Sequence, residues 1–140
     1  MRGRGGSLRE QSFALLGYVA RTGLCRLKGE SMARDREFDM IVFGATGFTG
    51  RLVAEYLVGR YGADREVTWA MAGRNEDKLQ AVRDEIGAPQ STPLVVADSA
   101  DAASLTALAE RARCVLTTVG PYLWYGEGLV RACADSGTDY

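Results

Sequence analysis

Three glycines at a constant spacing of three, Gly44, Gly47 and Gly50, stand in VFGATGFTGR (residues 42–51) between an apolar run and an amphipathic one. A strand-to-helix turn with that spacing suits an anion: one glycine permits the tight turn, one lets the backbone approach a diphosphate, and one lets the helix pack close to the strand. The helix that follows points its N-terminal N–H groups and the positive end of its dipole at the same place. A dinucleotide is therefore the expected ligand. Thr46 and Thr49 either add hydroxyl donors to the phosphates or simply suit the turn.

A second signal closes the next apolar run, in AMAGRNEDK (residues 70–78). An NAD site wants a carboxylate there for the ribose hydroxyls, whereas this chain has Arg74. A guanidinium makes paired, charge-assisted hydrogen bonds to phosphate, so the 2′-phosphate of NADP is favoured over NAD. The plainer reading of Arg74 is a surface residue near a helix start; Lys78 is a weaker candidate for the same phosphate. Asp98, at the end of VVAD, either accepts the adenine amine or caps the turn that follows. Thr118, Val119 and Gly120, in TTVGPYLWYG (residues 117–126), are candidates for the nicotinamide side. Tyr122, Trp124 and Tyr125 beyond them either line a substrate entrance or cover a core edge.

The elements that must position these residues alternate in type. FDMIVFG, EVTWAMAG, TPLVVAD and RCVLTTVG are short apolar runs, as strands buried on both faces should be. Between and after them lie helical patterns. GRLVAEYLVGR places Leu52, Val53, Tyr56 and Leu57 on one stripe. NEDKLQAVRDEIG opens on Asn75 as N-cap, with Glu76 and Asp77 in its first turn, and closes on Gly87. DAASLTALAERA and GEGLVRACADSG supply two more helices, the last ending at Gly137, and the final TDY is expected to begin a fifth strand. The fold class is α/β: a Rossmann-type doubly wound parallel sheet, truncated after the fourth βα unit. With strand order 3-2-1-4, CVLTTVG is expected to form an exposed apolar edge, open to homo-oligomer pairing or aggregation.

The 140 residues bound this to one domain, and apolar and charged fractions of 46 % and 25 % are those of an ordinary globular chain. There is no histidine, which removes imidazole as base, zinc ligand or partner of a nucleophile. Cys25, Cys114 and Cys133 have no metal-ligand spacing, so no metal is expected. They suggest reduced thiols and a cytoplasmic location.

Residues 1–37 carry eight Lys/Arg against four Asp/Glu, and residues 38–140 carry nine against fourteen. The mildly acidic second part argues against a nucleic-acid partner. The first part, a Gly/Arg opening and a short interrupted amphipathic stretch, is too short to span a membrane. It is expected to be a disordered extension, or to precede the true start at Met32; an organellar presequence is the other reading. The dinucleotide domain is then residues 38–140, incomplete at its C-terminus.

Taken together, GATGFTG, AGRNEDKL and VGPYLWYGEGLVRACADSGTDY resemble the N-terminal NADP-binding domain of saccharopine dehydrogenase-like oxidoreductases, including the bacterial trans-acting enoyl reductases. The likeness runs from about Phe38 to Tyr140. It implies a pyridine-nucleotide oxidoreductase acting by hydride transfer. It assigns Gly44, Thr46, Gly47, Phe48, Thr49 and Gly50 to the diphosphate, Arg74 to the 2′-phosphate, and Thr118, Val119, Gly120 and Pro121 to the nicotinamide side. Family members continue into a large domain for a small-molecule or lipid-like substrate, so no catalytic residue is named here. A non-catalytic NADP-sensing module and a non-functional gene fragment are the alternatives. Short-chain dehydrogenases need Tyr-x-x-x-Lys; Tyr56 and Tyr61 are followed at that distance by Arg60 and Arg65.

Overall fold

A computed structural model describes residues 36–61 and 67–140. Residues 1–35 of the N-terminal extension, with the proposed start at Met32, lie outside the described residues. Among the described residues four strands and four helices alternate: β1 (Phe38–Phe43), α1 (Phe48–Tyr61), β2 (Trp69–Gly73), α2 (Glu76–Glu85), β3 (Leu94–Val96), α3 (Ala102–Glu110), β4 (Ala112–Thr117) and α4 (Tyr122–Ser136). The strands form one parallel sheet in the order β3-β2-β1-β4. Met40 aligns with Trp69 on one side of β1, and Ile41 with Val115 on the other.

Alternate residues of each strand feed two cores. Ile41, Phe43, Ala70, Ala72 and Val115 meet Leu105, Leu108, Leu129 and Cys133 of α3 and α4 on one face. Val42, Met71 and Trp69 meet Ala54 and Leu57 of α1 and Leu79 of α2 on the other. Each fully buried leucine among them contributes roughly 1.5–3 kcal/mol by leaving water. Both faces are covered, which is why the strands are apolar throughout.

The stripe expected on α1 is partly wrong. Leu52 and Tyr56 are exposed, while Gly50, Ala54 and Leu57 are buried, with Val53 and Tyr61 packed beside them. The glycine turn sets this rotation. A Cβ at Gly50 would lie 2.1 Å from the Gly44 carbonyl oxygen, so the helix must turn Gly50 inward, and the positions four, seven and eleven residues on follow it.

Helix α4 starts one turn earlier than its sequence pattern suggests. Pro121, at φ −70°, opens it directly, so Tyr122, Trp124 and Tyr125 belong to its first turn and not to a loop. The caps elsewhere match expectation: the Asn75 side chain accepts from the Lys78 amide, and Gly137 closes α4 in the left-handed region at φ 64°. Asp139 pairs with Cys114 in a single parallel bridge, with Asp139 N–H donating to the Arg113 carbonyl and Val115 N–H to that of Asp139. The outer edge of β4 is thus open over less of its length than expected. Its Thr117 carbonyl already accepts the Tyr122 hydroxyl at 3.0 Å.

Candidate dinucleotide site

At the carboxyl ends of the strands a cleft of about 270 Å3 runs across the sheet. Its middle is the turn between β1 and α1, where Gly44, Thr46 and Gly47 line it. Arg74 and Ser99 stand at the end beyond β2 and β3, and Thr118, Val119 and Gly120 at the end beyond β4. The position follows from topology: α1 and α2 lie on one face and α3 and α4 on the other, so the chain crosses between faces on opposite sides of β1 and leaves a crevice between the diverging connections.

The turn is built around one carbonyl. Gly44, at φ 92°, is in a conformation that side chains other than glycine's resist. Its oxygen accepts from the Gly47 amide at 2.9 Å and from the Thr118 hydroxyl at 3.2 Å. Gly50 packs directly beneath it, buried. The amides of a helix's first turn have no intrahelical acceptor, and α1 carries no acidic side chain in that turn to meet them. By contrast, α2 carries Glu76 and Asp77 in its first turn. The donors and dipole of α1 are thus aimed at the cleft with no fixed anion beside them.

The predicted residues separate by geometry. Gly44, Thr46, Gly47, Arg74, Thr118, Val119 and Gly120 line the cleft. Gly50 lies under the turn and shapes it. Phe48 and Thr49 are exposed on the first turn of α1, where any contact would come from their backbone. Lys78 is exposed on α2 and Pro121 opens α4; neither lines the cleft. The Asp98 carboxylate accepts from the Ala100 amide at 3.0 Å, which is the turn-capping alternative, and the adjacent Ser99 faces the cleft. Phe43, Gly73 and Ser99 were missed by sequence reasoning. Gly73 and Ser99 each adjoin a residue that was singled out, so the strand-end position was the available signal. Arg74 is exposed and makes no ion pair among those found in the described residues.

Among the described residues no helix is long and apolar enough to cross a membrane. Burial, with the nearby Cys114, pushes the Cys133 thiol up to about 11, so it is a core group without thiolate character.

A family model for the saccharopine dehydrogenase NADP binding domain matches residues 40–140. Trans-acting enoyl reductases of Mycobacterium ulcerans and Mycobacterium leprae are each 50 % identical over 106 residues, which is 75 % of this chain and 25 % of theirs. The chain spans about a quarter of the length of the curated relatives it matches. An NADPH-dependent quinone oxidoreductase of Escherichia coli, solved with NADPH, superposes with a TM-score of 0.57 at 25 % identity over 71 % of this chain and 34 % of its own. Saccharopine dehydrogenase (L-Glu forming) of Saccharomyces cerevisiae gives a TM-score of 0.54 at 20 % identity over 72 % of this chain and 20 % of its own, a likeness of fold.

Proposed function

The chain belongs to the saccharopine dehydrogenase NADP-binding domain family, and on that premise we propose that it holds and orients NADPH within an oxidoreductase that reduces an enoyl group. The cleft running unbroken from Arg74, over the glycine turn, to Gly120 is the observation that carries this reading. The residues present fit the cofactor: a guanidinium at one end, a donor-rich helix start without a competing carboxylate in the middle, and a small-residue segment at the other end.

In this reading Gly44 and Gly47 shape the turn and let the diphosphate approach, the first amides of α1 hold it, and Thr46 adds a hydroxyl to it. The Arg74 fork grips the 2′-phosphate. Thr118, Val119 and Gly120 bound the nicotinamide side, with Thr118 acting through its grip on the turn. When bound, NADPH supplies the hydride; this chain's residues bind it, fix its orientation and exclude water from one side of it. Substrate contacts fall to sequence that the longer relatives carry; an enoyl substrate fits the relatives' names, and a small-molecule or lipid-like one is our reading. Tyr122, Trp124 and Tyr125 on the first turn of α4 flank the Thr118–Gly120 end and are proposed as the apolar approach for it. A cytoplasmic location fits the free Cys114 and Cys133, and self-association fits the remaining open edge of β4.

Titration of the chain with NADPH and NADH, followed by nucleotide fluorescence, tests the reading. Saturable binding with NADPH the tighter ligand is expected. Absence of binding by either nucleotide would overturn it.

A further inference from the structure

Glycine is a costly choice at position 73. It ends β2, a strand otherwise composed of Trp69, Ala70, Met71 and Ala72 with every residue buried, and glycine loses more backbone freedom on folding than any other residue and offers no side chain to pack. Among the described residues nothing asks for it. Its φ lies outside the left-handed region, its carbonyl accepts the Ala97 amide at 3.0 Å in an ordinary ladder bond, and a Cβ built on it would meet Leu79 at 3.4 Å and Thr46 at 3.6 Å, both ordinary contacts. Gly44 and Gly50 differ, since at those positions a Cβ collides with protein atoms.

Gly73 also lines the cleft, between Thr46 of the phosphate turn and Arg74. The geometry points to Gly73 as a clearance residue: its bare Cα admits the adenosine ribose of the cofactor to the backbone of β2, and a methyl there, seated against Leu79 and Thr46, would narrow that approach. A glycine that the fold tolerates replacing, in a wall that the ligand approaches closely, answers to the ligand's need for space. The inference rests on the cleft being the NADP site, and it separates two roles at neighbouring positions. Arg74 reads the 2′-phosphate and so discriminates NADP from NAD; Gly73 admits the ribose common to both.

The Gly73→Ala variant of the full chain, titrated with NADPH, NADH and adenosine 2′,5′-bisphosphate, decides it. Expected are a melting midpoint within about 4 °C of the unsubstituted chain and roughly tenfold weaker binding of all three ligands. The ratio of NADPH to NADH affinity should stay unchanged. Binding equal to that of the unsubstituted chain would overturn the inference, as would a midpoint lowered well beyond that range, because the glycine would then serve the fold. Failure of the unsubstituted chain itself to bind NADPH would instead sink the underlying NADP reading.

Discussion

The Thr118 hydroxyl lies 3.3 Å from the Phe43 carbonyl oxygen and 3.2 Å from that of Gly44, tying the end of β4 to the glycine turn that follows β1. One side chain thus couples the middle of the cleft to its β4 end, because the turn and the Thr118–Gly120 segment cannot move independently. Its partner Gly44 is packed so closely that a Cβ there would stand 2.8 Å from the Thr118 oxygen and 2.9 Å from Val119.

Thr118→Val keeps the shape and deletes the donor. A loss of about 1 kcal/mol in chemical denaturation is expected, together with weaker NADPH binding, and Thr118→Ser should restore both. If the valine variant matched the parent in stability and in affinity, the coupling would be without consequence.

Two glycines on the same helix should respond in opposite directions. Gly50→Ala drives a methyl into the Gly44 carbonyl, at 2.1 Å, and is expected to cost about 3 kcal/mol. Gly59→Ala meets nothing within 4 Å and should stabilise the chain by about 0.5–1 kcal/mol through helix propensity. Thermal unfolding of the pair checks this, and equal effects would contradict the packing described for the turn.

Arg74→Ala should weaken NADPH by roughly 10- to 100-fold, the worth of charge-assisted hydrogen bonds to a phosphate, while leaving NADH nearly unaffected. Affinities for the two nucleotides measured side by side give the answer. An unchanged NADPH to NADH ratio would remove Arg74 from the 2′-phosphate.

Acid stability should depend on Asp39. The Thr68 amide and hydroxyl donate to its carboxylate at 3.0 and 2.9 Å, and Arg113 adds a contact at 3.2 Å. The Thr68 hydrogen bonds, then Arg113, hold the Asp39 carboxyl below its ordinary value; the hydrogen-bonded Arg111 does the same for Glu37. A carboxyl depressed in the folded chain stabilises it above the unfolded value, near pH 4. That stabilisation fades as pH falls through the depressed folded value. Asp39→Asn should therefore lower the melting temperature at about pH 7 and converge on the parent only as the pH falls below the depressed folded value. A gap that stays constant across that range would assign the effect to something other than ionisation.

The alternation of elements and the glycine turn were legible in the sequence because each rests on local chemistry, and the strand order followed from the doubly wound fold class that the alternation implies. Apolar runs buried on both faces, an Asn75 cap with acids behind it and glycines at a fixed spacing all encode structure within a few residues. The rotation of α1 was not legible. Leu52 and Tyr56 have the right spacing for a core stripe, yet the buried row starts at Gly50, since the approach of that glycine to Gly44 fixes which side of the helix meets the sheet.

By itself, then, the sequence determined the kind of ligand and the three segments that form the cleft: the turn that opens at Gly44, the Arg74 strand end and the Thr118–Gly120 segment. Tertiary structure alone decided which side chains within those segments face the cleft. Ser99 lines it and Asp98 caps a turn, Gly73 is bare where the protein does not require it, and the Thr118 hydroxyl is spent on the Phe43 and Gly44 carbonyls. The reason is physical: a motif fixes the backbone path of a few residues. The direction of a side chain at a strand end depends on contacts with elements 30 or more residues away, as between Thr118 and Gly44, 74 apart.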